Sequence, residues 1–255
     1  MERHRTVKGI LTIVKIFLTA SVGTIIMAGM KKQQKTQPTS KNKTSSTSVK
    51  KALAKPTRDK ILEAAIKVFA DYPYYAASIR MIGKAAEIDH PLINYYFPTK
   101  AGLFEEIVKI ITEEYYEANI TWFKGLENLN PEQGLSLYID RFFEFALKRP
   151  KTLRIIALNL VQAGKSEIIP GYDRLLNFFS ETTQTFVKAV PLRGTEGDIK
   201  MLTTNFNTMA INYLGASDYY AGILGMEPQS PEYLKWVKNS LIFMILPQFK
   251  RLLEG

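Results

Sequence analysis

The sequence predicts an all-α protein. After residue 57, apolar residues recur at helical spacing over long segments, and prolines or glycines separate these segments. Runs of alternating apolar and polar residues between tight turns, which would indicate β-hairpins, are absent from the sequence. With 255 residues, of which 46% are hydrophobic, the chain is long enough to build a sizeable helical core.

The N-terminal 30 residues contain an apolar run, residues 9–30, that is interrupted only by Lys15. The uncharged part of this run is shorter than the roughly 20 residues that a membrane-spanning helix needs. Three interpretations stay open: a membrane anchor, a secretion signal, and a start assigned upstream of a true first residue at Met27 or Met30. Secretion is the least favoured, because basic residues flank the run on both sides.

Residues 31–56 are predicted to be a disordered basic linker. They consist largely of Lys, Gln, Ser, Thr, Asn and Pro, and they contain hardly any apolar residue before Val49. Burial therefore cannot offset the entropy of ordering them. Residues 1–60 carry 14 of the 34 basic residues and two of the 24 acidic ones. This excess favours an anionic polymer or surface as a partner.

Four helices are predicted between Thr57 and about Lys124. The first has a core-facing stripe that consists of Ile61, Ala65, Val68, Phe69 and Tyr72. The predicted N-terminal caps of the four helices are, in order, Thr57, Ser78, Asp89 and Thr99. Pro73 ends the first helix and Pro98 ends the third, because proline cannot continue a helix. The fourth helix is long and runs from Lys100.

Five further helical segments are predicted in the rest of the chain. They lie at about residues 131–149, 151–163, 171–189, 196–224 and 231–253. Turn residues such as Pro150 and the pair Pro170 and Gly171 separate them. No internal repeat is visible in the sequence, so a solenoid is not indicated.

The second and third helices are short, and the three-residue break between them is the spacing of a helix-turn-helix. In that arrangement the second helix lies in the DNA major groove while the first crosses the phosphate backbone. Ile93 and Phe97 supply the core-facing side of the third helix. Its other side carries His90, Asn94 and Tyr95, whose side chains can hydrogen-bond base edges or phosphates.

Residues 57–104 resemble the DNA-binding domain of the tetracycline-repressor (TetR) family of bacterial transcriptional regulators. The matching segments are TRDKILEAAIKVFA, SIRMIGKAAEID and INYYFPTKAGLF, of which the last is the most diagnostic. The chain departs from the family pattern in two places. Glu87 stands where glycine is common in the turn, and Tyr96 stands where histidine is common.

The resemblance implies a DNA-binding domain over residues 57–104 and a helical ligand-binding and dimerisation domain over residues 105–255. The residues that it assigns to DNA are Ser78, Arg80, His90, Asn94, Tyr95, Tyr96, Thr99 and Lys100. Alternatives stay open for three of them, since His90 also fits a solvated helix start, Tyr96 the core, and Arg80 an ordinary solvated charge. The last two helices would join two chains into a homodimer that reads a palindromic operator in double-stranded DNA.

The C-terminal half mixes aromatic residues with Thr, Asn and Ser at helical spacing. This pattern suits an apolar cavity with a few polar groups, and it equally suits ordinary packed helices. The candidate ligand-binding residues are Phe178, Phe179, Phe206, Met209, Tyr213 and Tyr220. The expected effector is a small apolar or amphipathic molecule.

These observations favour a cytoplasmic, ligand-responsive repressor over an enzyme. The chain has no cysteine, only two histidines (His4 and His90), and no glycine-rich phosphate loop. Neither a catalytic site, a metal site nor a cofactor is therefore predicted. The alternative function is a membrane-tethered helical interaction protein, which residues 9–30 would anchor to the membrane.

Overall fold

The computed structural model describes residues 45–160 and 169–254, and within these ranges all regular secondary structure is α-helical. In chain order the helices are α1 (Ser45–Asp71), α2 (Ile79–Ala86), α3 (His90–Tyr96), α4 (Lys100–Trp122), α5 (Pro131–Lys148), α6 (Pro150–Leu160), α7 (Tyr172–Ala189), α8 (Glu196–Gly215), α9 (Ser217–Leu224) and α10 (Pro231–Glu254). The all-α fold predicted from the sequence is confirmed.

Helix α1 begins at Ser45, well before the predicted cap, so that Thr57 lies inside the helix. The predicted linker thus overlaps α1 from Ser45 to Pro56, whereas residues 31–44 lie outside the described part of the chain. Alanine, leucine and lysine are strong helix formers, and they dominate the segment KKALAK that precedes Pro56.

The core-facing stripe of α1 is buried as the spacing predicts, with one difference. Ile61, Ala65, Val68 and Phe69 are buried, but Tyr72 is 46% exposed. Tyr72 follows the last residue of the helix, Asp71, so the helical spacing no longer directs its side chain inward.

The short helices α2 and α3 and the long α4 have the predicted boundaries. Ser78 caps α2 by accepting a hydrogen bond from the Met81 amide at 3.3 Å, and Thr99 caps α4 by accepting one from the Gly102 amide at 3.0 Å. Asp89 occupies the cap position of α3, but its side chain makes no capping hydrogen bond. Proline in the first turn of α3 lacks an N–H, and this reduces the need for a cap there.

The segment predicted as one helix over residues 196–224 is two helices, because the backbone leaves the helical conformation at Ala216. Helix α6 ends at Leu160, and residues 161–163 of the predicted segment lie outside the described residues. The remaining C-terminal helices agree with the prediction to within a residue or two.

Helix α6 packs very closely against the end of α8. A Cβ atom on Gly215 would lie 2.6 Å from the Leu153 carbonyl oxygen and 2.9 Å from the Ala157 Cβ atom, so only glycine fits at this contact. An edge-to-face aromatic cluster joins α4 to α5 and α7, and it consists of Tyr115, Trp122, Phe142 and Phe178. These contacts give the C-terminal helices a continuous core.

None of the helices in residues 45–160 and 169–254 is long and apolar enough to cross a membrane. The apolar run at residues 9–30, on which the prediction of an anchor rests, lies outside the described residues.

Candidate nucleic-acid interface

The close approach of α2 and α3 depends on Gly83. A Cβ atom at this position would lie 2.9 Å from the Ile88 carbonyl oxygen and 3.3 Å from the Cδ1 atom of Ile93. The Ile88 amide donates a hydrogen bond to the Gly83 carbonyl at 3.0 Å, and Ile93 is fully buried beneath this contact. The two helices therefore meet as a compact helix-turn-helix. Residues 57–104, which add part of α1 and the start of α4, are called the helix-turn-helix unit below.

The turn between α2 and α3 passes through a left-handed residue that is not glycine. Glu87 has φ 51° and ψ 46°, and its amide donates hydrogen bonds to the Gly83 and Lys84 carbonyls at the end of α2. Glycine adopts this conformation without steric cost, whereas glutamate does not. An exposed ion pair with Lys60 at 3.8 Å offsets little of that cost.

Helix α3 presents a polar surface opposite its buried side. Ile93 and Phe97 are buried, while His90, Asn94 and Tyr95 are exposed. Tyr95 is 78% exposed, which is unusual for a large aromatic side chain in a folded helix. The Asn94 Nδ2 atom lies 3.3 Å from the His90 Nδ1 atom, so these two side chains form one hydrogen-bonding group. As predicted, Ile93 and Phe97 face the core and the other three side chains face away from it.

Tyr96 occupies an intermediate position. It is half-buried and packs against the core, and its ring meets the ring of Tyr95 edge-to-face at 5.2 Å. The core interpretation of Tyr96 thus holds in part, because its ring packs against the core and against Tyr95. Its contact with DNA stays a prediction.

Three other predicted residues lie at the starts of α2 and α4. The hydroxyl oxygens of Ser78 and Thr99 accept the capping hydrogen bonds described above, which leaves both O–H groups as potential donors. Arg80 in the first turn of α2 is exposed. Helix N-termini direct N–H groups outward, so both ends are suited to an anionic group such as a phosphate.

Lys100 is engaged by the protein itself. Its ammonium group donates hydrogen bonds to the Tyr74 carbonyl at 2.9 Å and to the Ala77 carbonyl at 3.0 Å. The same group lies 4.3 Å from the centre of the Tyr74 ring. Burial lowers the pKa of Lys100 from its ordinary value. Lys100 therefore fixes the turn that precedes α2.

The six candidate ligand-binding residues do not converge on one site. Phe178 lines an open cleft of about 910 Å³ between α4 and α7, and Phe179 packs edge-on against Phe178. Phe206 lines a core cavity of only about 30 Å³. Tyr213 and Tyr220 pack edge-to-face at 5.1 Å elsewhere, and half-buried Met209 packs against the core.

The lining of the cleft is polar, which differs from the apolar cavity expected. Its carboxylates belong to Glu105, Glu106, Glu113, Asp173 and Glu181, and its basic side chains are Lys109 and Arg174. Two of the carboxylates are paired, Glu106 with Arg58 at 2.9 Å and Glu113 with Arg174 at 3.5 Å. The candidate ligand-binding residues were mainly aromatic, so the sequence did not predict this charged surface.

Sequence reasoning also missed the contacts between the helix-turn-helix unit and α6. Asn159 accepts a hydrogen bond from the Tyr74 amide at 3.0 Å, although the two residues are 85 positions apart. Arg154 donates to the Ala70 carbonyl at 2.8 Å. No spacing or motif in the sequence signals such pairs, because they form only when α6 folds back onto the end of α1.

Comparisons with known proteins agree with this geometry. Residues 61–107 match the family model described as bacterial regulatory proteins, tetR family. The HTH-type transcriptional repressor NicS of Pseudomonas putida is 29% identical over 121 residues, which are 48% of this chain and 56% of that protein. The probable HTH-type transcriptional regulator YttP of Bacillus subtilis is 39% identical over 85 residues, which are 33% of this chain and 41% of that protein.

Solved structures show a similar fold. A TetR family transcription regulator from Marinobacter aquaeolei VT8 superimposes with a TM-score of 0.54 at 17% identity, over 78% of this chain and 97% of that one. A transcriptional regulator from Rhodococcus sp. RHA1 gives a TM-score of 0.53 at 16% identity, over 74% of this chain and 96% of that one. At this identity the likeness concerns the fold alone.

The fold and the helix-turn-helix define the class, an all-α protein with an N-terminal helix-turn-helix domain. That domain, over residues 61–107, matches the tetR family of bacterial regulatory proteins, which confirms the resemblance seen in the sequence. The matches to the curated relatives span about half the length of those proteins. The family consists of transcription regulators, which favours regulation over an enzymatic role and over the membrane-tethered alternative.

The left-handed conformation of Glu87 leads to a stability prediction. We expect Glu87→Gly to raise the free energy of unfolding by about 0.5–1 kcal/mol, because glycine relieves the steric cost by more than it adds to chain entropy. Glu87→Gln is the matched control, since it removes the same charge and keeps the strain. Urea denaturation of both variants gives the measurement. A Glu87→Gln variant as stable as Glu87→Gly would contradict the backbone explanation.

Proposed function

We propose that the protein is a transcriptional repressor that binds a palindromic DNA operator as a homodimer and leaves it when a small effector binds. The observation that carries this proposal is the polar side of α3, where a buried isoleucine and phenylalanine hold exposed His90, Asn94 and Tyr95 outward. Repression as the mode of regulation is supported by the name of the relative NicS, a transcriptional repressor.

Each exposed side chain has a role in this proposal. Asn94 and His90 offer donors and acceptors to base edges in the major groove, and the Tyr95 hydroxyl can donate to a phosphate or a base. Ser78, Arg80 and Thr99 would bind phosphates at the starts of α2 and α4. We assign Lys100 to positioning these groups, since its ammonium already bonds two backbone carbonyls of the protein.

DNA recognition by α3 is tested by removing its exposed side chains one at a time. We expect Tyr95→Ala or Asn94→Ala to raise the Kd for the operator about tenfold or more, because each side chain is assigned a direct DNA contact. The operator is first selected from random-sequence DNA with the full chain, and Kd is then measured by fluorescence anisotropy at two salt concentrations.

Tyr219→Ala is the matched control for Tyr95→Ala. Tyr219 is 67% exposed on α9 and packs edge-to-face against the tyrosine that follows it, just as Tyr95 does on α3. Its substitution should leave the Kd unchanged. If Tyr95→Ala and Tyr219→Ala bind DNA equally well, α3 is not the recognition helix. If the wild-type chain selects no sequence, the proposed function is wrong.

Dimerisation is supported by large apolar side chains on the outer surfaces of α8 and α10. Phe243 and Met244 of α10 are 79% and 55% exposed, and Met201 of α8 is 52% exposed. Exposed residues of this kind are costly in a monomer and are typical of subunit interfaces. A two-fold dimer through the last helices would place two copies of α3 about one DNA turn apart.

Placing a charge in this surface should separate the two chains. We expect Phe243→Glu to weaken the dimer about 30-fold or more, because a carboxylate would be buried without a partner. Sedimentation equilibrium gives the dimer dissociation constant. Leu147→Glu is the control, since Leu147 is 45% exposed on α5 and belongs to neither α8 nor α10. Equal dissociation constants for the wild-type and Phe243→Glu chains would exclude this surface.

The cleft between α4 and α7 is the effector site that we propose. Its volume of about 910 Å³ suits a small organic molecule, and it lies directly on α4, the helix that continues the helix-turn-helix unit. Five carboxylates against two basic side chains favour a cationic effector, and Phe178 offers it an apolar surface. The expectation of a small apolar or amphipathic effector is thus narrowed to a cationic amphipathic one.

Two probe ions of equal size and opposite charge test this assignment. We expect tetraphenylphosphonium to raise the Tm and tetraphenylborate to leave it unchanged, since the cleft favours cations. The double variant Glu105→Gln, Asp173→Asn should bind the cation about tenfold more weakly by calorimetry. Glu127→Gln, Glu227→Gln makes the same charge change outside the cleft and should bind normally. Equal binding of both probes would contradict a cation site.

A further inference from the structure

The turn between α1 and α2 is bonded from two sides. Asn159 of α6 accepts a hydrogen bond from the Tyr74 amide at 3.0 Å, and Lys100 donates to the Tyr74 carbonyl at 2.9 Å. The Tyr74 ring packs against the rings of Phe69 and Phe104. Since both backbone polar groups and the side chain of Tyr74 are engaged, the turn has a defined position relative to α6.

The amide of Asn159 is held in one orientation. It is 1% exposed, and its Nδ2 atom donates to the Ile155 carbonyl at 2.8 Å while its Oδ1 atom accepts from the Tyr74 amide. One partner is a donor and the other is an acceptor, so a flipped amide would lose both hydrogen bonds. Asn159 is thus built to hold the turn in place.

Arg154, which precedes Asn159 by about one and a half turns of α6, makes the second contact between α6 and the helix-turn-helix unit. Its Nε atom donates to the Ala70 carbonyl at 2.8 Å, and its Nη1 atom pairs with Asp218 of α9 at 2.8 Å. The Ala70 carbonyl is one of the last four of α1, which lack a partner within the helix and carry the negative end of its dipole. The Arg154 guanidinium is favoured there, because it donates to the unpaired carbonyl and places a positive charge at the negative end of the dipole.

Helix α6 is itself fixed to the helices that we assign to dimerisation. The contact of Gly215 with Leu153 and Ala157 leaves no space for even a methyl group between α6 and α8. A continuous series of contacts therefore runs from the helix-turn-helix unit through α6 to α8. Helix α4 is the covalent connection between the unit and the C-terminal helices, and the α6 contacts oppose rotation about it.

We propose that Arg154 and Asn159 are positioning residues that fix the orientation of the helix-turn-helix unit relative to the C-terminal helices. In a dimer, that orientation sets the separation of the two copies of α3. Arg154 and Asn159 consequently determine how strictly the protein selects the spacing between operator half-sites. The consequence for DNA rests on the proposed function, whereas the orientation itself does not.

The orientation is measured without DNA. Because the chain has no cysteine, Lys84→Cys on α2 and Lys235→Cys on α10 introduce two unique sites for nitroxide labels, both at exposed positions. Double electron–electron resonance on the full chain, diluted with unlabelled protein, gives the distance distribution between the labels. The distribution is recorded for wild type, Arg154→Ala, Asn159→Leu and the double variant.

Arg141→Ala is the matched control. Like Arg154, Arg141 donates to the backbone, but its two acceptors, the carbonyls of Trp122 and Lys124, both at 2.6 Å, lie outside the helix-turn-helix unit. We expect the label distribution to broaden or shift in Arg154→Ala and further in the double variant, and to stay unchanged in Arg141→Ala. A distribution with the wild-type mean and width in folded Arg154→Ala, or an equal change in Arg141→Ala, would overturn the proposal. Far-ultraviolet circular dichroism checks folding, and Arg154→Ala carries the test if Asn159→Leu does not fold.

Operators with altered spacing provide the second readout. Each added base pair increases the separation of the half-sites by about 3.4 Å and rotates one relative to the other by about 35°. We expect wild type and Arg141→Ala to lose about tenfold or more in affinity per added base pair, and the double variant to lose at most about threefold. An unchanged spacing profile with uniformly weaker binding would mean that the α6 contacts stabilise the fold without positioning the unit. Absence of sequence-specific binding by wild type would contradict the proposed function, and the label distances would still decide the orientation.

Discussion

The polar surface of α3 depends on the burial of two of its side chains. Ile93 and Phe97 lie one turn apart in the core, and their burial forces His90, Asn94 and Tyr95 to the opposite side of the helix. Gly83 makes this burial possible, because any larger residue would separate α2 from the Ile88 carbonyl. A seven-residue helix has little stability of its own, so its exposed side is defined only while this packing persists.

The second constraint is the turn around Tyr74. It joins α1 to the helix-turn-helix, and its Tyr74 carbonyl accepts a hydrogen bond from Lys100 at the start of α4 while its Tyr74 amide donates one to Asn159 of α6. The residue type of Lys100 does not indicate this contact. A lysine next to a recognition helix suggests a phosphate contact, but its position beside two free carbonyls and an aromatic ring gives it a partner within the protein.

The cleft in the C-terminal helices and residues 1–60 carry charges of opposite sign, so they suit different kinds of ligand. The cleft between α4 and α7 is acidic, whereas the basic residues are concentrated in residues 1–60. Because α4 contributes to both the cleft and the helix-turn-helix unit, a ligand in the cleft would contact a helix that continues directly into that unit. The core cavity beside Phe206 and Asn207 is too small, at about 30 Å³, for more than a water molecule or two.

The sequence by itself determined the helical class, most helix boundaries and the polar side of α3, because helical spacing, caps and prolines are local signals. It also determined the resemblance of residues 57–104 to the tetR family, for which the segment INYYFPTKAGLF is the most diagnostic. Only the tertiary structure decided that Lys100 bonds the turn, that Arg154 and Asn159 reach α1, and that Phe178 and Phe206 face different cavities. These features join residues far apart in the chain, and their energies depend on burial and on partners that no local pattern encodes.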